Sequence, residues 1–289
     1  MIRLAVRVRR DQAELVLAEL LELAPAGVEE AEAGEDVEYA VYGAPGELPS
    51  LPALQAAAGP ALVAVTTTEV ADDWPERWRR FHRPVVIPAP GGHCAASLVV
   101  RPPWEQPQAD RGAGEEIVID PGQAFGTGAH ASTRLCLELL LELSAQEPAR
   151  GPLLDVGTGS GVLAIAAARR GFVPVVGVDH DRASVQAAQA NAAANAVALS
   201  VLELDLRREA LPYPYVAEAA WSVVTANLLY PLLCELARSL RPAPAHLIAG
   251  GLLAGQGAEV ASAFSEQLGL RERERRASGE WEALWLSLR

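Results

Sequence analysis

The sequence predicts an α/β protein in which a doubly wound, Rossmann-like domain follows a small ferredoxin-like α+β domain. Three observations predict it. Strand-like and helix-like runs alternate from Pro84 onward, the pattern of a sheet covered by helices on both faces. An apolar strand ending at Asp155-Val156 runs through Gly157-Thr158-Gly159-Ser160-Gly161 into a helical run, so backbone can come close to a ligand at a helix N-terminus. The first seventy residues read β-α-β-β-α-β, the ferredoxin-like split unit. The expected boundaries are 1–70 for the small domain, 71–83 for a linking helix and 84–289 for the large domain.

In the small domain, Ile2, Leu4, Val6 and Val8 alternate with Arg3, Arg7 and Arg9, so a half-buried strand is expected. Asp11 followed by Glu14 resembles a capping box and opens a helix running to about Pro25. Short strands are expected near Val28–Glu32 and Val37–Tyr42, a short helix at Leu54–Ala58 and a β-branched strand at Ala61–Val70. Six acids, Glu29, Glu30, Glu32, Glu35, Asp36 and Glu38, fall within ten residues. They read as a solvated hairpin or as a docking surface for a basic partner. Asp72-Asp73-Trp74-Pro75 then caps the linking helix, whose Trp74, Trp78 and Phe81 share one face.

Composition narrows the chemistry. All 24 basic side chains are arginine. Without lysine there is no P-loop, no Schiff-base nucleophile and no kinase strand lysine. Asparagine occurs only at 191, 195 and 227; both scarcities read as composition bias. The formal net charge of −13 disfavours direct nucleic-acid binding. Cys94, Cys136 and Cys234 are scattered, so neither structural zinc nor a disulfide framework is expected. With no signal-peptide pattern and no long uncharged apolar run, a cytoplasmic protein with no membrane contact is expected; we expect a monomer.

The large domain carries the candidate site. After the glycine loop, a second strand ends in Asp179, 22 residues beyond Gly157. A carboxylate there binds a ribose diol in doubly wound nucleotide folds; the competing reading is a helix cap. Asp205 could follow a third strand beside an adenine. A fourth strand, Trp221–Thr225, leads into Asn227-Leu228-Leu229-Tyr230 at the carboxyl end of the sheet, where α/β proteins bind ligands.

Motif form points to a family. The Asp155-x-Gly157-x-Gly159-x-Gly161 loop differs from the dinucleotide fingerprint, because its third glycine comes one residue early. It resembles class I S-adenosylmethionine-dependent methyltransferases, in which the acid ends the first strand beside the cofactor. Asn227-Leu-Leu-Tyr resembles a relaxed Asn-Pro-Pro-Tyr motif of amino-group methyltransferases. Most specific is Ile119–Leu137, containing Asp120-Pro-Gly-Gln-Ala-Phe125-Gly-Thr127-Gly-Ala-His130-Ala-Ser-Thr133. It is similar to the PrmA family, bacterial methyltransferases of ribosomal protein L11. The likeness continues through Ile248–Gln256 and Glu280-Trp281.

The resemblance implies a class I (Rossmann-like) methyltransferase domain, S-adenosyl-L-methionine as cofactor and ribosomal protein L11 as partner and substrate, modified on lysine ε-amines and the N-terminal α-amine. It implies Thr133, Gly157, Asp179 and Asn227 as primary cofactor contacts, supported by Asp155 and Gly159, with Asn227 also catalytic. Phe125, Thr127 and His130 would shape a lid over the methionine end. His130 as a base is the alternative, but methyl transfer from a sulfonium is mainly a positioning problem. Serving several target amines from one active site implies a mobile linker near Val70–Phe81. Ala131-Ser132, Thr158 and Tyr230 depart from the family pattern in ways compatible with cofactor binding. Two rivals remain: a methyltransferase acting on a glutamine amide or nucleic-acid base, and a non-catalytic binding module.

Overall fold

A computed structural model describes residues 2–13, 16, 17, 20, 28–43, 48–69, 82–88, 97–107, 115–121, 128–146, 151–212 and 220–288. The chain divides into two compact units, Met1–Phe81 and His82–Arg289. The expected linking helix with Trp74, Trp78 and Phe81, and the site candidates Phe125 and Thr127, lie outside the described residues.

The first unit has one antiparallel sheet. Strands β1 (Ile2–Arg9), β2 (Glu29–Ala33), β3 (Asp36–Gly43) and β4 (Leu62–Glu69) lie in the order β2-β3-β1-β4, and α1 (Leu51–Ala58) connects β3 to β4. Leu4, Val6 and Val8 are buried, as the alternation predicts, and pack with Val37, Tyr39 and Leu54. Residues 13, 16, 17 and 20 are helical, on the segment expected from Asp11. One hairpin acid is structural. Glu38 receives hydrogen bonds from Arg3 at 2.8 Å and Arg7 at 3.3 Å across the β1–β3 ladder. The Arg3 bond, aided by Arg7, holds its carboxyl below the usual carboxylate range.

In the second unit, β5 (Val85–Ile87), β6 (Leu98–Arg101) and β7 (Glu115–Val118) form a separate three-stranded sheet. This corrects the expectation that the doubly wound pattern begins at Pro84. The strands are three or four residues long, and period alone does not tell which sheet so short a run joins.

The main sheet has seven strands in the order β10-β9-β8-β11-β12-β14-β13. They are β8 (Leu153–Val156), β9 (Val175–Asp179), β10 (Ser200–Glu203), β11 (Val223–Asn227), β12 (His246–Leu253), β13 (Arg271–Ser278) and β14 (Trp281–Ser287). The first five are parallel, and β14 and β13 close the sheet as an antiparallel pair. The helices are α2 (Ala131–Gln146), α3 (Val162–Arg169), α4 (Arg182–Ala194), α5 (Tyr230–Ser239) and α6 (Gln256–Leu268). Successive strand residues feed opposite cores. Leu153, Val223 and Ile248 pack with α2 and α3, while Leu154, Val224 and Leu247 pack with α5 and α6. Burial on both faces explains why β8 and β11 show no alternation of apolar and polar residues, opening instead on Leu153-Leu154 and Val223-Val224. Among the described residues no helix is long and apolar enough to cross a membrane.

Candidate functional site

The chain leaves β8 toward β9 and β10 on one side, then returns to place β11 on the other. That reversal opens a crevice at the carboxyl ends of β8, β9 and β11, the switch point where open α/β sheets bind ligands. A cleft of about 130 Å³ lies there, lined by Gly157, Asp179, Asp205, Leu206, Leu228 and Leu232, among others.

Glycine is required in the loop by backbone angle. Gly157, Gly159 and Gly161 have φ of 73°, 52° and 82°, in the left-handed region where a Cβ is strained. Gly161 also caps α3, and a Cβ there would lie 3.1 Å from that of Ala188 on α4. The loop is anchored by N–H bonds from Gly157 and Thr158 to the Val178 carbonyl at 2.9 and 3.0 Å.

The two strand-end carboxylates are used differently. Asp155 is 1% exposed and lies beneath the loop. Its oxygens accept hydrogen bonds from the Thr158 hydroxyl at 2.7 Å and the Thr225 hydroxyl at 2.6 Å. Burial pushes its pKa up to about 6; the threonine bonds oppose this shift and the nearby Asp179 charge adds to it. Asp155 therefore ties β8 to β11 and shapes the loop from below. Asp179 lines the cleft. One oxygen accepts the Gly159 N–H at 2.9 Å and the other the Asp181 N–H at 3.0 Å. A carboxylate has about four lone-pair sites, so acceptor capacity remains for a diol. The helix cap weighed for Asp179 belongs to Asp181, which accepts the Ala183 and Ser184 N–H groups.

Asn227 closes β11. Its Nδ2 donates to the Thr133 hydroxyl on α2 at 3.2 Å, which fixes the amide's orientation. Its Oδ1 is buried and has no hydrogen-bond partner among the described residues. Such an orphaned acceptor costs free energy unless a ligand supplies the donor. The space around it depends on Gly250, where a Cβ would run into Cys136 Sγ and lie 3.2 Å from Asn227 Oδ1.

His130 precedes α2 and caps it. Its Nδ1 accepts the Ser132 N–H at 3.3 Å and lies 2.8 Å from the Ser132 hydroxyl. The ring proton is accordingly assigned to Nε2. The ring meets Trp281 edge-on at 4.7 Å. Burial holds its pKa below the ordinary histidine value, opposed by Glu280. This capping geometry favours the structural reading of His130 over the base.

The structure thus brings Gly157 and Asp179 to one cleft, bonds Gly159 to Asp179, and joins Thr133 to Asn227. Sequence reasoning missed Thr225, Ser160, Asn191 and Asn195. The asparagines carried a usable signal: in a chain that has shed asparagine, the three retained are worth explaining individually.

The pieces suit an adenosine-bearing sulfonium donor. Asp179 offers acceptors for a diol, Leu206, Leu228 and Leu232 offer apolar walls, and Asn227 offers a fixed, unused acceptor. Comparison with known proteins agrees. Residues 48–288 match the family model described as ribosomal protein L11 methyltransferase (PrmA). The chain is 39% identical over 230 residues to the ribosomal protein L11 methyltransferase of Geobacter sulfurreducens, covering 78% of this chain and 70% of that protein. It is 37% identical over 234 residues to that of Pelotomaculum thermopropionicum, covering 78% and 69%. Among solved structures, the ribosomal protein L11 methylase of Lactobacillus delbrueckii subsp. bulgaricus aligns with a TM-score of 0.55 at 27% identity, over 66% of this chain and 93% of that one. This chain belongs to the ribosomal protein L11 methyltransferase (PrmA) family.

Proposed function

We propose that this enzyme methylates amino groups of ribosomal protein L11, lysine ε-amines and the N-terminal α-amine, using S-adenosyl-L-methionine. The cofactor supplies an electrophilic methyl group on a sulfonium. The observation that carries the reading is the Asn227 amide, with Nδ2 spent on Thr133 and Oδ1 buried and unpartnered among the described residues. An acceptor fixed in this way takes an N–H from a neutral amine and leaves its lone pair directed for in-line attack. Positioning of this kind is worth orders of magnitude in rate. Water takes the proton from the methylated ammonium afterwards, so no side-chain base is assigned.

In this reading Asp179 binds the ribose, and Gly157 and Gly159 allow close backbone approach. Asp155 holds the loop through Thr158, while Thr133 orients Asn227. Phe125, Thr127 and His130 cover the methionine end. The first unit is a ferredoxin-like substrate-recognition domain, residues 1–70, followed by a linker to residue 83. Its strand order β2-β3-β1-β4 and its antiparallel ladders support that assignment. The enzyme works as a cytoplasmic monomer without direct nucleic-acid contact, consistent with its net charge of −13.

The test is incubation with methyl-labelled cofactor, purified ribosomal protein L11 and bulk RNA. Label is expected in L11. Label in RNA alone would overturn the acceptor, and absence of both label and cofactor binding would overturn the enzyme.

A further inference from the structure

Two asparagines, Asn191 and Asn195, take no part in the cleft itself. They are 3% and 8% exposed, lie four residues apart at the end of α4 and so share one face. Both apply their amides to the backbone leaving β7. Asn195 accepts the Val118 N–H at 2.8 Å and donates to the Val118 carbonyl at 2.6 Å. Asn191 accepts the Asp120 N–H at 2.9 Å and donates to the Asp120 carbonyl at 3.4 Å. The helix thereby presents side-chain amides as a strand edge would present peptide groups.

They differ in their remaining bond. Asn195 Nδ2 turns back to the Asn191 carbonyl at 2.8 Å, within its own helix. Asn191 Nδ2 reaches the Ser160 carbonyl at 2.9 Å. The glycine loop is then held at neighbouring residues: Asp179 takes the Gly159 N–H at 2.9 Å, and Asn191 supplies a donor to Ser160. The amide accepts from one backbone group and donates to two others; a carboxylate of the same shape lacks the donor. Because Asp120 opens the most family-specific segment, one side chain links that segment to the cofactor loop.

We propose that Asn191 is a positioning residue for methyl transfer: its amide fixes the Asp120 backbone and the Ser160 carbonyl together and so sets the glycine loop against the cofactor, whereas Asn195 only fastens α4 to β7. The inference rests on the loop binding S-adenosylmethionine. Removing the donor takes from the loop the side-chain hydrogen bond that ties Ser160 to α4 and to the Asp120 backbone.

The test compares Asn191→Ala, Asn191→Asp and Asn195→Ala in the full chain. Readouts are melting temperature, calorimetric Kd for S-adenosylhomocysteine, and kcat and KM with labelled cofactor and L11. Asn191→Ala and Asn195→Ala should lower the melting temperature comparably. Cofactor Kd and KM should rise about tenfold or more in Asn191→Ala, and stay within about twofold of the parent in Asn195→Ala, which loses no bond to the loop. Asn191→Asp, isosteric but without the donor, should share the cofactor defect. Parental cofactor affinity in either Asn191 variant, or an equal loss in Asn195→Ala, overturns the proposal. Failure of both Asn191 variants to fold while Asn195→Ala folds also overturns it, because Asn191 would then serve the core alone. If the unsubstituted enzyme neither binds nor uses the cofactor, the reading of the site fails instead.

Discussion

The two halves of the seven-stranded sheet treat carboxylates in opposite ways. In the parallel half, Asp155 and Asp179 sit at buried strand ends, held by threonine hydroxyls and backbone N–H groups. In the antiparallel half, Glu272, Glu274 and Glu282 lie beside Arg275 and Arg276 on or next to the edge strand β13. Burial makes the Asp155 charge costly, and both carboxylates stand at strand ends beside the glycine loop. Solvent removes most of that cost from Glu272 and Glu274, whose side chains are 35% and 34% exposed. The alternating charges there blunt an exposed strand edge that could otherwise pair with another chain. Position in the sheet, more than residue type, decides which acids are buried and which face solvent.

If that contrast holds, the largest effect should come from the polar group at the end of β11. Asn227→Ala should lower kcat by about 100- to 1,000-fold, the usual loss when one pre-organised polar group is removed from an active site. The fold should survive, because Asn227 Oδ1 has no partner among the described residues to lose. Steady-state kinetics with labelled cofactor checks this, and a kcat within about twofold of the parent would remove Asn227 from the reaction. Asp179 comes next. Asp179→Ala should weaken cofactor binding by about 1.5–3 kcal/mol, the range for hydrogen bonds to a charged group. Calorimetry showing unchanged affinity would refute the ribose assignment.

Asp155 tests the buried half through pH. Its folded pKa, pushed up to about 6, lies above the ordinary aspartate value. The folded state therefore favours the protonated form. The resulting stability is fully present below the unfolded pKa and is lost as pH rises through about 6. Linkage puts that loss on the order of 2 kcal/mol between about pH 4 and 6. Asp155→Asn removes the titration, so its stability relative to the parent should rise across that window. Chemical denaturation at several pH values reads the difference. Parallel curves would mean that the carboxyl is not desolvated as its burial implies.

Legibility followed the same division. Gly157–Gly161, Asp179 and Asn227 could be read because each belongs to a short continuous segment at the end of an apolar run. The strand expected at Trp221–Thr225 is shifted by two residues. Trp221 is buried and apolar like the strand, but the ladder begins at Val223 and runs to Asn227. Strand β13, Arg271–Ser278, has no apolar alternation and is a strand because β14 pairs with it. The β5–β6–β7 sheet and the Asn191–Asn195 clamp were missed for a related reason. Their meaning lies in partners distant along the chain, 71 and 77 residues away for the two asparagines. What Asp155 does was also nonlocal, since Thr225, 70 residues away, takes one of its oxygens.

The smallest effects belong to the antiparallel edge, where two neighbouring residues separate surface pairing from anchoring. Glu282 sits on β14 and accepts N–H bonds from Gly255 and Gly257 at 3.4 and 3.3 Å, at the start of α6. Glu282→Ala should cost about 0.5–1 kcal/mol, as the loss of a carboxylate at a helix N-terminus does. Arg275 pairs with both Glu272 and Glu282, but its side chain is 31% exposed and that of Glu272 is 35% exposed. Screening by water and the entropy of two long side chains cancel most of the Coulomb gain. Arg275→Ala should therefore fall within about 0.5 kcal/mol of the parent. Denaturant melts of the two variants at low and high salt separate the cases. A loss above about 1 kcal/mol for Arg275→Ala that persists at high salt would show the edge pairs to be shielded from solvent in the manner of the buried acids, and the contrast between the two halves would fail.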